Sequence, residues 1–211
     1  MYLFYRSARF GAGDIREQLA WATTMTEKVN QISESPVNLW MSVLSPGVNT
    51  LVWTTAVEHM HTLEASFDKL LADNGYCDLL AQAAKWQTPE PIVDGLMQYL
   101  TPVAEPQTPP AYATVVTATV APGSFARGIE VGLELAQRAQ QATGIATFFA
   151  TSCTGTYGEV AWLADYTSIE QVEEGQQKLM ADASFAAYLD ATAKDAFLPG
   201  SSTQILYRRL V

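Results

Sequence analysis

The strongest constraint on the fold of this chain is an internal repeat. Shifting the 211-residue sequence by 109 positions aligns residues 69–85 with residues 178–194, and seven of the aligned residues are identical. Two unrelated segments of this length share about one identity by chance. The same shift aligns Trp53 with Trp162. The sequence therefore predicts two copies of one module of roughly 100 residues.

A proline-rich segment separates the two copies. Residues 101–110 contain four of the ten prolines in the chain. Because proline fixes the φ angle and has no backbone N–H, such a segment favours an extended and semi-rigid spacer. We therefore predict a first repeat over residues 1–100, a linker over residues 101–110 and a second repeat over residues 111–211.

Each copy carries the same order of strand and helix signals. In the first copy, an aromatic-rich strand over residues 2–10 precedes an amphipathic helix. The apolar stripe of that helix consists of Ile15, Leu19, Ala22, Met25, Val29 and Ile32. Two β-prone runs, 37–44 and 50–57, flank a Ser-Pro-Gly turn and predict a hairpin. One further helix begins near Thr62, and a closing strand ends the copy.

The second copy gives the same order, with its second helix beginning near Ser168. The order βαββαβ is that of the ferredoxin-like split βαβ arrangement. Its sheet carries helices on one face only, so a second copy is the simplest cover for the other face. The predicted fold class is therefore α+β, with two tandem ferredoxin-like βαββαβ repeats whose antiparallel sheets pack together within one chain.

Two recurring features support a family resemblance. They are a tryptophan in the third strand of each copy and an Asp-x-x-aromatic step in the following helix, namely Trp53, Trp162, Asp73 to Tyr76 and Asp182 to Phe185. With the element order, they make the chain resemble the dimeric α/β barrel superfamily, which includes the antibiotic-biosynthesis-monooxygenase and stress-responsive barrel families. The resemblance covers nearly the whole chain and implies an intramolecular unit of the dimeric-α/β-barrel type.

This resemblance implies a range of activities, since one fold can host many functions. The superfamily includes cofactor-free monooxygenases of polycyclic aromatic substrates, isomerases, haem-degrading enzymes and haem peroxidases. Its haem branches bind iron through a histidine of the last helix, whereas Leu80 and Leu189 occupy the comparable positions here. We therefore expect neither haem nor another cofactor.

The charge balance narrows the classes of partner. Twelve basic and twenty-two acidic residues give a formal net charge of -10, which opposes binding to nucleic-acid phosphates or anionic lipids. No apolar run approaches the roughly 20 residues that span a bilayer, and residues 2–6 are too short for a signal peptide. We expect a cytoplasmic protein that binds neither nucleic acid nor membranes and can form homo-oligomers. Cys77 and Cys153 predict two buried free thiols.

Both histidines of the chain, His59 and His61, lie at the junction between the third strand and the second helix, with Glu64 about one helical turn further on. They could bind a divalent metal, serve as a general acid or base, or be solvated junction residues. No further ligand cluster accompanies them, so we predict no metal site. His61 is the better candidate for acid–base chemistry, and His59 is the second candidate catalytic residue.

Aromatic residues are concentrated in the first copy, where Tyr5, Trp40 and Trp53 lie in predicted strands. Such rings can hold a flat apolar ligand, or they can simply fill the core. Arg6 and Arg9 point to opposite faces of one strand, so one of them can point inward, where it would suit a carboxylate or phenolate ligand. A surface pair is the alternative. The candidate substrate-binding residues are Trp53, Trp40, Tyr5 and Arg6.

Taken with the resemblance, these residues predict a small-molecule enzyme of the cofactor-independent monooxygenase or isomerase type, acting on a small aromatic or polyketide-like molecule. The alternative is a non-catalytic barrel that binds a ligand or a protein partner. A cavity of roughly 300 Å³ or more in the first copy, with His61 or Arg6 at its wall, would favour the enzyme, and a closed core filled by tryptophans would oppose it. Because both histidines lie in the first copy, we expect any activity there.

Overall fold

A computed structural model of the chain describes residues 1–11, 13–47, 49–86, 92–103 and 108–211. The first repeat consists of β1 (Tyr2–Arg9), α1 (Ile15–Ile32), β2 (Asn38–Val43), β3 (Thr50–Val57), α2 (Met60–Ala72), α3 (Asn74–Gln82) and β4 (Val93–Tyr99). The second repeat consists of β5 (Tyr112–Thr119), α4 (Phe125–Thr143), β6 (Thr147–Ser152), β7 (Glu159–Tyr166), α5 (Ile169–Ala181), α6 (Ala183–Ala196) and β8 (Thr203–Arg209). Residues 104–107 of the predicted linker lie outside the described residues.

The predicted fold class is confirmed: the chain is α+β and contains two βαββαβ repeats with antiparallel strand pairing. The prediction of one continuous second helix in each repeat is wrong. Asp73 and Asp182 adopt extended backbone angles and cap a new helix, α3 and α6 respectively, with their side-chain oxygens. An aspartate that bonds the free N–H groups of the next turn favours a new helix start over continuation of the old one.

The chain divides into two compact units, Met1–Leu96 with Arg208–Val211 and Met97–Tyr207. The boundary between the units therefore runs through β4 and through the end of β8. In unit 1 the strands follow the order β4, β1, β3, β2, and the backbone of Leu39 then bonds to Leu210 and Val211 at the end of the chain. In unit 2 the order is β8, β5, β7, β6, β4.

The core of unit 1 lies between its sheet and α1. Buried residues of α1 are Gln18, Trp21, Ala22, Met25 and Thr26. The predicted stripe is thus only partly correct, because Ile15 is 41% exposed. Two polar groups on the buried face are bonded: the Trp21 indole donates to the Leu79 carbonyl at 2.8 Å, and the Thr26 hydroxyl donates to the Ala22 carbonyl. These bonds allow the helix to turn a partly polar face toward the sheet.

The core of unit 2 is centred on Phe149, a fully buried residue of β6. Its ring packs 5.3 Å from the ring of Trp162. It also lies directly against α4 at Gly132, where a Cβ atom would overlap the Phe149 ring. The Trp162 indole donates to the Gly132 carbonyl at 2.8 Å. Because glycine has no side chain, α4 lies close enough to contact both aromatic residues.

Two further expectations concern the cysteines and the helices. Both cysteines are free, as predicted, but they are not buried: Cys77 is half-buried and Cys153 is exposed in the β6–β7 turn. Their prediction as core thiols failed because burial of a lone cysteine depends on tertiary packing. Within the described part of the chain, every helix is too short or too polar to cross a bilayer.

Candidate functional site

A cavity lies in unit 1 between the sheet and the three helices of the first repeat. Its floor is one face of β1 and β3, to which Phe4, Arg6, Trp53 and Thr55 contribute. The register pairs Arg6 with Trp53 and Phe4 with Thr55. Since side chains alternate between the faces of a strand, these four residues share the face that is turned toward the helices.

The roof of the cavity is apolar. It includes Trp21 and Met25 of α1, Leu63 and Phe67 of α2, and Tyr76 of α3. The cavity volume is about 110 Å³, which is below the roughly 300 Å³ expected of an enzyme pocket but well above the about 10–15 Å³ that one water molecule needs. The cavity can therefore accept a small organic molecule, and its aromatic walls favour a planar apolar one.

One polar cluster stands at the wall of this cavity. The Arg6 guanidinium donates through Nε and Nη2 to the two carboxylate oxygens of Asp94, both at 2.7 Å. Tyr76, which is 6% exposed, lies close enough to Arg6 to contribute, after Asp94, to raising the pKa of Arg6. A tyrosine hydroxyl can accept a bond from a guanidinium and donate its own proton to a ligand, whereas arginine has only donors.

The electrostatics of the cluster keep Arg6 charged. Hydrogen bonds with Asp94 raise the pKa of Arg6 above its ordinary value, against the opposing effect of burial. The guanidinium also lies 5.9 Å from the centroid of the Phe67 ring, within reach of a cation–π interaction. Asp94 and Phe67 therefore fix the position of the charged Arg6 guanidinium beside Tyr76.

Asp73 sets the position of Tyr76. Its carboxylate accepts a hydrogen bond from the Tyr76 backbone N–H at 2.8 Å and from Lys28 Nζ at 3.0 Å. These bonds, the backbone bond first, lower the pKa of Asp73 below its ordinary value. The Asp-x-x-aromatic step in the sequence is therefore a helix cap that places an aromatic residue one turn later, and here that residue enters the cavity.

We expect the Asp73→Ala variant to unfold at a temperature about 2–4 °C below the wild-type protein at pH 7, because α3 loses its cap. Since the pKa of Asp73 is lowered in the folded state, its carboxylate stabilises the protein above the unfolded pKa. This contribution is lost progressively as the pH falls below the ordinary pKa of 3.8 and through the lower folded pKa, so the difference between the two melting temperatures should narrow below pH 3.8. Thermal melts across the pH range measure the difference.

Asp182→Ala is the matched control, because Asp182 caps α6 in the second repeat in the same way. It should lower the melting temperature by a similar amount but leave ligand binding in unit 1 unchanged. If Asp73→Ala and Asp182→Ala have equal effects on ligand binding, Asp73 does not position Tyr76.

The two cavity tryptophans are also fixed by hydrogen bonds. The Trp53 indole donates to the Thr26 hydroxyl at 2.9 Å, and Trp21 contacts Trp53 edge-on with their ring centroids 6.2 Å apart. Both rings therefore form rigid walls and leave open space beside them. The tryptophans do not fill the core of unit 1, which was the arrangement that would have opposed a small-molecule site.

The structure brings only some of the predicted site residues together. Arg6 and Trp53 line the cavity. Trp40 is buried and donates to the Thr54 hydroxyl at 2.9 Å, and it neighbours Leu39 and Met41, which pack with the core under the helices. Trp40 therefore points to the opposite face of the sheet. Tyr5 also points there, with its ring against Gly95.

The two histidines lie away from the cavity lining. His59 and His61 are exposed at the start of α2, and their rings stack with centroids 5.2 Å apart. No group of three or more potential metal ligands occurs among the residues that the structure describes. The acid–base role of His61 and His59 stays a prediction.

Tyr76 and Thr55 were missed as site residues by sequence reasoning. Tyr76 had a usable signal, because the Asp-x-x-aromatic step is shared by both repeats while the hydroxyl is present only in the first. Thr55 had none, since a threonine in a strand is ordinary. The partner of Arg6 was also hidden, because Asp94 lies 88 residues away in the sequence.

The second repeat has apolar residues at the positions of the polar cavity residues. Trp162 pairs with Val116, where Trp53 pairs with Arg6. Ala164 lies two residues after Trp162, whereas Thr55 lies two residues after Trp53. Phe185 lies three residues after the second capping aspartate, whereas Tyr76 lies three residues after the first. The polar cluster is therefore a feature of the first repeat.

Comparisons with known proteins show that the three-dimensional structure of the chain is similar to solved structures. No protein-family model matches the chain, and no curated protein matches its sequence. A proposed monooxygenase from Fusobacterium nucleatum superposes with a TM-score of 0.72 at 9% identity, over 100% of this chain and 92% of that one. A proposed monooxygenase from Lactobacillus acidophilus gives 0.66 at 10% identity, over 99% and 93% of the two chains. An anthrone oxidase-like protein gives 0.66 at 11% identity, over 100% and 91%.

Identities this low carry no activity from one protein to another. The matches do extend over nearly the full length of each chain, including both repeats. The chain therefore shares its fold with these proposed monooxygenases and with the anthrone oxidase-like protein.

Proposed function

We propose that this protein is a small-molecule enzyme of the cofactor-independent monooxygenase type, which oxidises a planar aromatic substrate in the cavity of unit 1. The observation that carries the proposal is the combination of an apolar, aromatic-walled cavity with one polar cluster at its wall, Arg6, Asp94 and Tyr76. The shared fold with proposed monooxygenases supports the class of reaction.

The cluster suits a substrate that reacts through its enol or phenol form. The Tyr76 hydroxyl donates to the substrate oxygen, and the adjacent Arg6 guanidinium favours the negative charge that develops there as the substrate loses a proton. The electron-rich carbon so formed reduces O₂. In the overall reaction a CH₂ group becomes C=O, one atom of O₂ enters the product, and the other leaves as water with the two hydrogens.

The lining of the cavity limits how the proton is removed. Among the described residues that line it there is no histidine, carboxylate, lysine or cysteine. The substrate proton therefore passes to solvent, and substrates that ionise readily are favoured. The same observation supports the second candidate function, a barrel that binds such a molecule without converting it.

Oxygen uptake separates the two functions. Anthrone and related hydroxylated tricyclic ketones are incubated with the protein in air and under nitrogen, with uptake followed by an oxygen electrode and products by mass spectrometry. We expect one O₂ consumed per quinone formed, and no product under nitrogen. Saturable binding without uptake would establish the binding function, and absence of binding would overturn both.

The His61→Ala variant tests the acid–base role predicted from sequence in the same assay. Because His61 is exposed at the start of α2 and does not line the cavity, a loss of turnover would show that α2 moves during the reaction. Unchanged turnover would assign His61 to the solvated start of the helix.

A further inference from the structure

Two apolar residues that line the cavity of unit 1 are also exposed to solvent. Leu80 of α3 is 38% exposed, and Ile92, which immediately precedes β4, is 42% exposed. Every other apolar residue of the described lining is buried or half-buried. Residues that belong both to the wall of a cavity and to the molecular surface stand at an opening. Leu80 and Ile92, which we call the mouth, therefore mark an opening of the cavity.

The mouth lies next to the polar cluster. Leu80 follows Tyr76 by four residues in α3, so the two side chains share one face of the helix and lie about 6 Å apart along its axis. Ile92 lies two residues before Asp94, which is the ion-pair partner of Arg6. Each side of the opening thus carries an apolar residue a short distance from a polar one. A ligand whose oxygen lies beside Tyr76 therefore has the mouth within reach.

The volume of the cavity limits how much of a ligand it encloses. Pockets that bury most of a drug-sized molecule have about 300–1,000 Å³, whereas this cavity has about 110 Å³. A ring system that fills the cavity leaves no room beside it for a further substituent. The charged side chains of Arg6 and Asp94 disfavour an apolar group beside them, because it would remove their hydration. An aliphatic substituent therefore gains most by leaving the cavity at the mouth, where it contacts two apolar side chains.

Exposure alone does not distinguish Leu80. Single exposed leucines are common on protein surfaces, and Leu189, the equivalent residue of the second repeat, is 37% exposed without lining this cavity. The distinguishing feature is that Leu80 and Ile92 come from separate elements and border the same cavity. Leu189 is therefore a matched control with equal exposure.

We propose that the mouth is a subsite for an unbranched aliphatic substituent of the substrate, which passes between Leu80 and Ile92 and ends in solvent. This inference rests on the proposed function in using the same cavity. It adds that preferred substrates carry an alkyl chain, attached at a position away from the oxygen that lies beside Arg6 and Tyr76.

Calorimetric titration at pH 7 with alkyl-substituted 2-naphthols tests the inference. The probes are 2-naphthol and two isomeric series that carry a methyl, propyl or pentyl group at ring position 6 or 7. Full burial of a methylene group strengthens binding about fourfold, so a chain that contacts the mouth on one side should gain about twofold per methylene from methyl to propyl in at least one series. Absence of any gain in both series would overturn the inference.

A hydroxyl group at the far end of the pentyl chain shows whether the chain reaches solvent. If the chain ends in water, the added hydroxyl should change the affinity by less than about twofold, because it keeps its hydration. A loss of about tenfold or more would mean that the end of the chain is enclosed without a hydrogen-bond partner, which would contradict passage through the mouth.

The Leu80→Ser variant identifies the residue responsible. The gain from methyl to propyl should fall from about fourfold to about twofold or less, because the chain loses one of its two apolar contacts. Leu80→Met keeps an apolar side chain and should retain the fourfold gain, as should the control Leu189→Ser. All three changes are at exposed positions, so the melting temperatures should stay close to that of the wild-type protein. Equal gains in Leu80→Ser and Leu189→Ser would overturn the inference.

The outcomes separate this inference from the proposed function. A gain with chain length that depends on Leu80, without oxygen uptake from anthrone or its relatives, would support the inference and contradict the enzyme. Oxygen-dependent turnover together with a gain that Leu80→Ser leaves intact would support the enzyme and contradict the inference.

Discussion

Replacing Gly132 with alanine is expected to lower the free energy of unfolding by about 1–3 kcal/mol, the usual cost of an overpacked core. A Cβ atom at this position would overlap the ring of Phe149, which is completely buried. The ring has little room to move away, because it is completely buried and one side is packed against Trp162. A shift of α4 would instead stretch the bond from the Trp162 indole to the Gly132 carbonyl.

Urea unfolding followed by circular dichroism measures this effect. Gly175→Ala is the matched control, since Gly175 is also a buried helical glycine, but its added Cβ would meet only the edge of the Tyr166 ring at 3.3 Å. Alanine is the better helix former, so this variant should be within about 1 kcal/mol of the wild-type protein. A Phe149→Leu change should restore part of the stability lost in Gly132→Ala. Equal stability of Gly132→Ala and the wild type would contradict the packing described for unit 2.

The Tyr76→Phe variant is expected to reduce kcat by about 100-fold or more, the effect of removing one preorganised donor from a developing negative charge. The ring remains in place, so the fold and the apolar walls should be unchanged. Binding of 2-naphthol should weaken by only about fivefold, which is the loss of one neutral hydrogen bond. Steady-state oxygen uptake measures the first effect and calorimetry the second.

Tyr157→Phe is the control for this experiment, because Tyr157 is 92% exposed in a turn of unit 2. It should leave both kcat and binding at their wild-type values. An unchanged kcat in Tyr76→Phe would show that Tyr76 is only a wall of the cavity. A parallel loss of kcat and melting temperature would indicate a structural role.

The repeat was predictable from identities between the two halves of the sequence, and the order of strands and helices along the chain was predictable from the local periodicity of apolar residues. The break at Asp73 was not, because the apolar pattern continues through it and only a single capping interaction interrupts the helix. Strand alternation shows that only one of Arg6 and Arg9 points inward, but it does not show which one. Its pairing with Asp94 depended on tertiary contacts between distant parts of the chain.

The aromatic residues illustrate the same limit. Trp53 and Trp40 lie in neighbouring strands and looked equivalent in the sequence, yet Trp53 faces the cavity while Trp40 points to the opposite face of the sheet. The difference is set by the register, in which Leu39, not Trp40, lies opposite Trp53. A shift of one residue in a strand exchanges its two faces, and single-sequence patterns rarely fix the register that closely.

The replacement of Arg6, Thr55 and Tyr76 by Val116, Ala164 and Phe185 in the second repeat has a consequence for stoichiometry. An assembly of two identical modules would offer two equal sites to the same molecule. We expect a ligand that binds beside Arg6 and Tyr76 to saturate the chain at one equivalent, as a binding titration would measure. Divergence of the second repeat thus leaves the polar cluster, and with it the proposed site, in the first repeat.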